Sequence, residues 1–188
     1  MKDEMFIRDK VPMTKESIRS ISIDKLELNK AQRFLDVGAG TGSVSLQAAK
    51  LYPEIEVVAI EMKELAIDLI RRNCQHFDLT NIEMIQGKAP LPEDLGSFQA
   101  IFVGGSSGNL TEIVDWSYQL LETNCPLVMN FILIENALEA FDYLTANDWT
   151  DIDMISVSVS DYTSLGKGHY FKPQNPTIIL SAKKGRDQ

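Results

Sequence analysis

Phe34-Leu35-Asp36-Val37-Gly38-Ala39-Gly40-Thr41-Gly42-Ser43 decides the fold of this chain. An apolar strand stops at a carboxylate and enters a glycine-rich turn. Ser43 to Ala49 then continue with small and apolar residues at helical spacing. The turn needs backbone angles that side chains resist, and a ligand there can approach the backbone closely. Strand, glycine turn and helix start make the first half of a nucleotide-type site in an open α/β sheet. The second half follows on schedule. Glu56-Val57-Val58-Ala59-Ile60-Glu61 reads as a buried strand ending in an acid. Such an acid, roughly 20 residues past the turn, is where a ribose-binding carboxylate belongs. Glu61 can accept from both ribose hydroxyls.

The glycine spacing narrows the ligand. A dinucleotide fingerprint is G-x-G-x-x-G. Here Gly38 and Gly40 are followed by Gly42, and Ser43 stands where the third glycine would be. The pattern D-x-G-x-G-T-G resembles motif I of the class I S-adenosylmethionine-dependent methyltransferases. Their ligand carries an ammonium, a carboxylate, a ribose and a sulfonium, and no phosphate. Asp36, facing the ammonium region directly or through water, suits that ligand better than pyrophosphate. The resemblance implies cofactor contacts from Asp36, Gly38, Ala39, Gly40, Thr41, Gly42 and Glu61.

Composition bounds the rest. The 188 residues suit one domain, with an arm at residues 1–13. Hydrophobic content of 44% and charged content of 24% are ordinary for a globular protein. No apolar run reaches membrane-span length, and Met1-Lys2-Asp3-Glu4 has no signal-peptide pattern, so cytoplasmic residence is expected. Cys74 and Cys125 give neither a disulfide framework nor zinc spacing, so no metal site is expected. A net charge of −9 argues against a nucleic-acid footprint. From Ala89 to Gly166 there are twelve acids and no Lys or Arg; the remainder holds all 18 basic residues and 15 acids. That asymmetry is either a chance balance of solvated charge or a positive region for an anionic substrate built from the two chain ends.

Strand and helix signals alternate along the chain. Thr14 reads as the N-cap of a first helix with Ile18, Ile21 and Leu26 on one face. The helix after the glycine turn should stop near Tyr52-Pro53. Leu65, Ala66, Leu69 and Ile70 mark the next helix, ending near His76. Strands follow at about 82–85, 98–103 and 127–133. Asn109 with Glu112 has capping-box spacing, ahead of Leu110, Ile113, Val114, Leu120 and Leu121. A helix from about Glu135 to Asn147 should bury Leu138, Phe141 and Leu144. Residues 152–159 form a strand with a phase slip near Met154-Ile155 that reads as a bulge. Residues 177–182 form the last strand, with a loop between. The expected fold is an α/β Rossmann-like sheet of about seven strands with helices on both faces. The class I methyltransferase resemblance supplies its order, 3-2-1-4-5-7-6.

Further motifs carry a narrower resemblance. Pro12-Met13-Thr14-Lys15 is similar to the P-M-T-K signature of the decarboxylating C-15 methyltransferases of cobalamin biosynthesis, which act on precorrin or cobalt-precorrin. Ala100-Ile101-Phe102-Val103-Gly104-Gly105-Ser106 is similar to their A-I-F-I-G-G-S strand and turn. Gly87-x-Ala89-Pro90 resembles their adenine-side loop, and Asn175-Pro176-Thr177-Ile178 the start of their last strand. The resemblance implies methyl transfer from S-adenosylmethionine to C-15 of an anionic tetrapyrrole with loss of the ring C acetate as carbon dioxide. It implies a tetramer, and a C-5 methyltransferase as partner. The stand-alone length matches the cobalt-first version. It adds Thr14, Lys88 and Ala89 to the cofactor set. Many members have an acid where Lys88 stands, and lysine cannot accept a hydrogen bond from adenine. Gln99 replaces a common aspartate and is read as a change of loop anchoring.

For the substrate, Gly104, Gly105 and Ser106 are expected beside the acceptor, and Arg8, Lys10, Lys15, Lys167 and Lys172 as a positive rim. No catalytic residue is assigned, because an activated donor and a conjugated acceptor need alignment more than a base. His169 reads as a surface histidine, His76 as structural and Met13 as packing. Ser106-Ser107-Gly108 has the make-up of an anion-binding turn, although such turns usually only turn. Three other readings stay open. A methyltransferase of RNA or protein fits the fold, but the fourth strand lacks an N-P-P-Y clamp. An NAD-dependent dehydrogenase lacks its glycine spacing and a Tyr-x-x-x-Lys pair. A non-catalytic S-adenosylmethionine-binding protein is the third.

Overall fold

The computed structural model describes residues 1–106 and 108–186. In chain order its elements are α1 (Glu16–Lys25), β1 (Arg33–Val37), α2 (Ser43–Leu51), β2 (Glu56–Glu61), α3 (Glu64–His76), β3 (Ile82–Gln86) and β4 (Ala100–Val103). Then come α4 (Leu110–Leu120), β5 (Pro126–Phe131), α5 (Ile134–Thr145), β6 (Trp149–Val157), β7 (Ser160–Leu165), β8 (Gly168–Pro173) and β9 (Thr177–Lys184). Seven strands form one sheet in the order β3-β2-β1-β4-β5-β9-β6. β1 to β5 pair in parallel, and β9 runs antiparallel to β5 and β6. Because β9 is the last strand of the expected seven, this is the expected order with one hairpin inserted.

Strand periodicity splits the core between the two faces. Phe34, Ala100 and Phe102 point toward α1 and α2, where they meet Ile18, Ile23, Val44 and Ala48. Leu35, Val37, Ile101 and Val103 point the other way, onto Ile113 and Val114 of α4 and Ala137 and Leu144 of α5. These central strands are buried on both faces, which is why they read as unbroken apolar runs.

Several expectations need correction. The stretch between the last two long strands is not a loop. Its β7 and β8 pair as an exposed hairpin, with Tyr162 opposite Phe171. The register shift in β6 lies between Thr150 and Asp153, earlier than Met154, with Asp151 at φ +49°. The apolar pattern misleads there because Ile152 packs on one face while Ile155 and Val157 pack on the other. Phe98 precedes β4 and forms only an isolated bridge with Leu121. Leu65 and Leu138 are exposed, and Leu133 lies beyond β5. Neither Thr14 nor Asn109 caps a helix with its side chain: Lys15 is the N-cap of α1, and no side chain caps α4. Gln99 does anchor loops. Its Oε1 accepts from the backbone N–H of Gln32 and Arg33, and its amide donates to Glu122. No helix among the described residues is long and apolar enough to cross a membrane.

Candidate active site

The chain order of the sheet reverses between β1 and β4, where open α/β sheets bind ligands beyond the strand ends. A cavity of about 550 Å³ lies there. Gly38, Ala39 and Gly40 form its floor, with Glu61 and the Lys88-Ala89 loop on one side and Gly104, Gly105 and Ser106 beside the turn. The segment Val11 to Lys15 and residues Phe131, Gln174 and Asn175 close the opposite side.

Glu61 is the best-held polar group in the cavity. Its Oε2 accepts from the Gly40 N–H at 3.0 Å and its Oε1 from the Lys63 N–H at 2.9 Å. Each carboxylate oxygen keeps a second acceptor position, so the buried side chain can still receive two hydroxyls from a sugar. Gly38 and Ala39 both donate their N–H to the Ile60 carbonyl, which ties the turn to β2.

The three glycines of the turn sit at φ +71°, +57° and +71°, a region other residues avoid. Their closest neighbours belong to the protein. A Cβ on Gly38 would stand 2.7 Å from the Gly105 carbonyl oxygen, and one on Gly42 2.7 Å from Ile70. Gly38 therefore lets two backbone turns touch, and Gly42 lets α2 settle on α3. These close contacts lie within the protein, while Gly38, Ala39 and Gly40 also present backbone to the cavity.

Asp36 does not line the cavity. It is fully buried beneath the turn, and its Oδ2 accepts from both the N–H and the hydroxyl of Ser45 in α2. Its Oδ1 has no hydrogen-bond partner in the protein. Burial pushes the carboxyl up to about 6, the nearby Glu61 charge adds to the shift, and the Ser45 bonds oppose it. Thr41 and Gly42 also lie outside the lining, and the buried Thr41 hydroxyl is likewise without a partner. Of the expected cofactor set, Thr14, Gly38, Ala39, Gly40, Glu61, Lys88 and Ala89 come together around the cavity.

The expected positive rim separates. Lys15 lines the cavity, whereas Arg8, Lys10, Lys167 and Lys172 do not. Lys167 occupies the β7–β8 turn and Lys172 the exposed β8. His169 stacks on Tyr162 in the same hairpin, ring centroids 4.8 Å apart, and His76 meets the edge of Phe77 at the end of α3. Met13 both packs against a core cluster and lines the cavity. Ser106 and Gly108 belong to the turn after β4, and Ser107 lies outside the described residues.

Sequence reasoning missed Asn130 and Gln174 as lining residues. Asn130 has no motif signal, and Gln174 falls in a stretch read as loop. The side chain of Asn109 has a different task from capping: its Nδ2 donates to the Ala89 carbonyl at 2.9 Å and fixes the loop beside the cavity.

A family model described as precorrin methyltransferase domain matches residues 4–184. The chain belongs to the precorrin methyltransferase family. It is 44% identical over 185 residues to the cobalt-precorrin-6B C(15)-methyltransferase (decarboxylating) of Salmonella typhimurium, covering 98% of this chain and 96% of that protein. It is 33% identical to the probable enzyme of the same name from Saccharolobus solfataricus, covering 97% and 94%. Among solved structures, precorrin-6y C5,15-methyltransferase from Geobacter metallireducens superposes with a TM-score of 0.91 at 29% identity, over 98% of this chain and 97% of that one. A tRNA (m1A58) methyltransferase from Aquifex aeolicus gives 0.79 at 16% identity, over 97% and 73%, a likeness of fold.

The fold is thus that of the class I methyltransferases, and S-adenosylmethionine is the methyl donor of this precorrin methyltransferase. The residues present fit that donor. The clamped, buried Glu61 offers acceptors for a ribose, the Gly38–Gly40 turn offers backbone, and the unpartnered Asp36 Oδ1 places negative character under the turn.

Proposed function

We propose that this chain is a cytoplasmic enzyme that methylates C-15 of a cobalt-precorrin and removes the carboxylate of the ring C acetate side chain as carbon dioxide. The observation that carries the reading is one cavity lined both by a ribose-type carboxylate, Glu61, and by Val11 to Lys15, Phe131 and Asn175. The relatives named for this reaction align over almost the whole chain, which supports the substrate assignment.

Glu61 and the backbone of Gly38 to Gly40 hold the nucleoside end of S-adenosylmethionine, and the loop at Lys88 and Ala89 meets its adenine. The sulfonium supplies an activated methyl group when bound. The chain's own task is to set the acceptor carbon in line with that group and to exclude water. The apolar Val37, Met13, Phe102 and Phe131 in the lining serve that exclusion. In decarboxylation the bond between the acetate methylene and its carboxylate breaks. Its electron pair passes into the conjugated ring and makes up for the ring pair that forms the bond to the incoming methyl group as that group leaves its sulfur, so no side chain need act as base. The resemblance to the family supports a homotetramer, which light scattering tests.

A competition assay tests the reading. Purified protein with methyl-labelled S-adenosylmethionine is offered cobalt-precorrin-6B and transfer RNA together. Label should enter the tetrapyrrole. Label entering RNA alone would overturn the assignment in favour of the fold's RNA-modifying relatives.

A further inference from the structure

Of the five cations expected around the substrate, the structure brings only Lys15 to the cavity wall. Two other lysines, Lys63 and Lys88, also line it, but they stand on the β2–β3 side with Glu61. Lys15 opens α1, which packs against β5 and β9 at the other side of the switch point. In the reading above the acceptor lies on that side, which makes Lys15 the cation beside it. Its ammonium lies 3.7 Å from Asp3 Oδ2, and its side chain is 43% exposed.

Asp3 is itself held from behind. Its Oδ1 accepts from Arg19 Nη1 at 3.1 Å, and the Arg19 side chain has no exposure at all. Arg19 is fixed on every side. Nε donates to Gln47 Oε1 at 2.7 Å, Nη1 also to the Thr14 carbonyl at 2.6 Å and Nη2 to the Met1 carbonyl at 2.6 Å, and the guanidinium lies 4.8 Å from the Phe6 ring centre. The Thr14 carbonyl in turn accepts from the Ser43 hydroxyl at 3.4 Å, at the first residue of α2. One buried cation thus sets both the backbone beside Lys15 and the carboxylate that Lys15 pairs with.

The geometry points to Lys15 as the receptor for a carboxylate of the acceptor, held ready by Asp3 as an exchangeable counter-ion whose position Arg19 fixes. This rests on the tetrapyrrole reading above. Asp3 keeps one oxygen on the buried guanidinium and offers only its other oxygen to Lys15. An incoming carboxylate can then take the ammonium without leaving Arg19 unpaired, which a fully buried arginine would not tolerate. The Lys15–Asp3 pair is partly exposed and such pairs are weak, so the exchange costs little.

Four variants test this by steady-state methylation of cobalt-precorrin-6B, with S-adenosylhomocysteine affinity measured by calorimetry on each. Lys15→Met should raise KM for the tetrapyrrole at least about fivefold and leave S-adenosylhomocysteine affinity within about twofold. Asp3→Asn keeps an acceptor for Arg19 but removes the competing charge, so its KM should fall by about twofold to fivefold. The double variant should match Lys15→Met alone, because Asp3 acts only through Lys15. Arg19→Lys should raise KM while circular dichroism shows a folded protein. An unchanged KM in Lys15→Met, or a raised KM in Asp3→Asn, would overturn the proposal. A wild-type protein that binds S-adenosylhomocysteine yet methylates no tetrapyrrole would instead remove the substrate reading and this inference with it.

Discussion

Glu61 and Asp36 are two acids one strand apart with opposite circumstances. Glu61 receives two backbone N–H groups and faces the cavity. Replacing it with alanine removes two charge-assisted bonds to ribose, each contributing roughly 1.5–3 kcal/mol. Affinity for S-adenosylhomocysteine should fall at least about tenfold by calorimetry; unchanged affinity in a folded variant would make Glu61 a turn-bracing acid only. Asp36 is raised to about 6 from 3.8 by burial. A carboxylate with a raised folded pKa binds its proton more tightly folded than unfolded. Its contribution to stability is thus full below about 4 and is lost as pH rises through about 6, by roughly 2–3 kcal/mol. Denaturant titrations across that window should show this fall in wild type, and Asp36→Asn should flatten it. Equal slopes in the two proteins would mean that another group titrates.

At the scale of elements, the glycine turn works as a joint between strands and helices. Gly38 lies against the Gly105 carbonyl at the end of β4, so the two halves of the sheet meet at backbone contact. Gly38→Ala would place a methyl 2.7 Å from that oxygen at φ +71°. It should lose more than the roughly 1 kcal/mol of an ordinary glycine position and weaken S-adenosylhomocysteine binding, since the floor of the cavity moves with it. Thermal unfolding that matches wild type would contradict this packing role. The β1–turn–α2 unit was legible in the sequence because an unbroken apolar run, glycine spacing and helical spacing all agreed there. The β7–β8 hairpin was not. Its strands are exposed on both faces, so no apolar alternation marks them. Asn109 was misread for a related reason: capping-box spacing is local, while its bond to the Ala89 carbonyl crosses from another loop.

On the scale of the whole molecule, the sheet order came from the class I methyltransferase resemblance that the motifs carry, and the cavity lies where that order reverses. Charge placement did not follow. Arg8, Lys10, Lys167 and Lys172 lie outside the cavity lining, the last two on an exposed hairpin. Salt dependence should reflect that: raising ionic strength should increase KM for the tetrapyrrole only modestly, as one exposed lysine would, and a steep rise would show that the outer cations take part after all. In the proposed reaction one enzyme couples methylation to decarboxylation. Mass spectrometry of cobalt-precorrin-6B after incubation with this protein and S-adenosylmethionine tests it most directly. A product that has gained one methyl group and lost carbon dioxide is predicted; a tetrapyrrole of unchanged mass, with the cofactor bound and the protein folded, would contradict it.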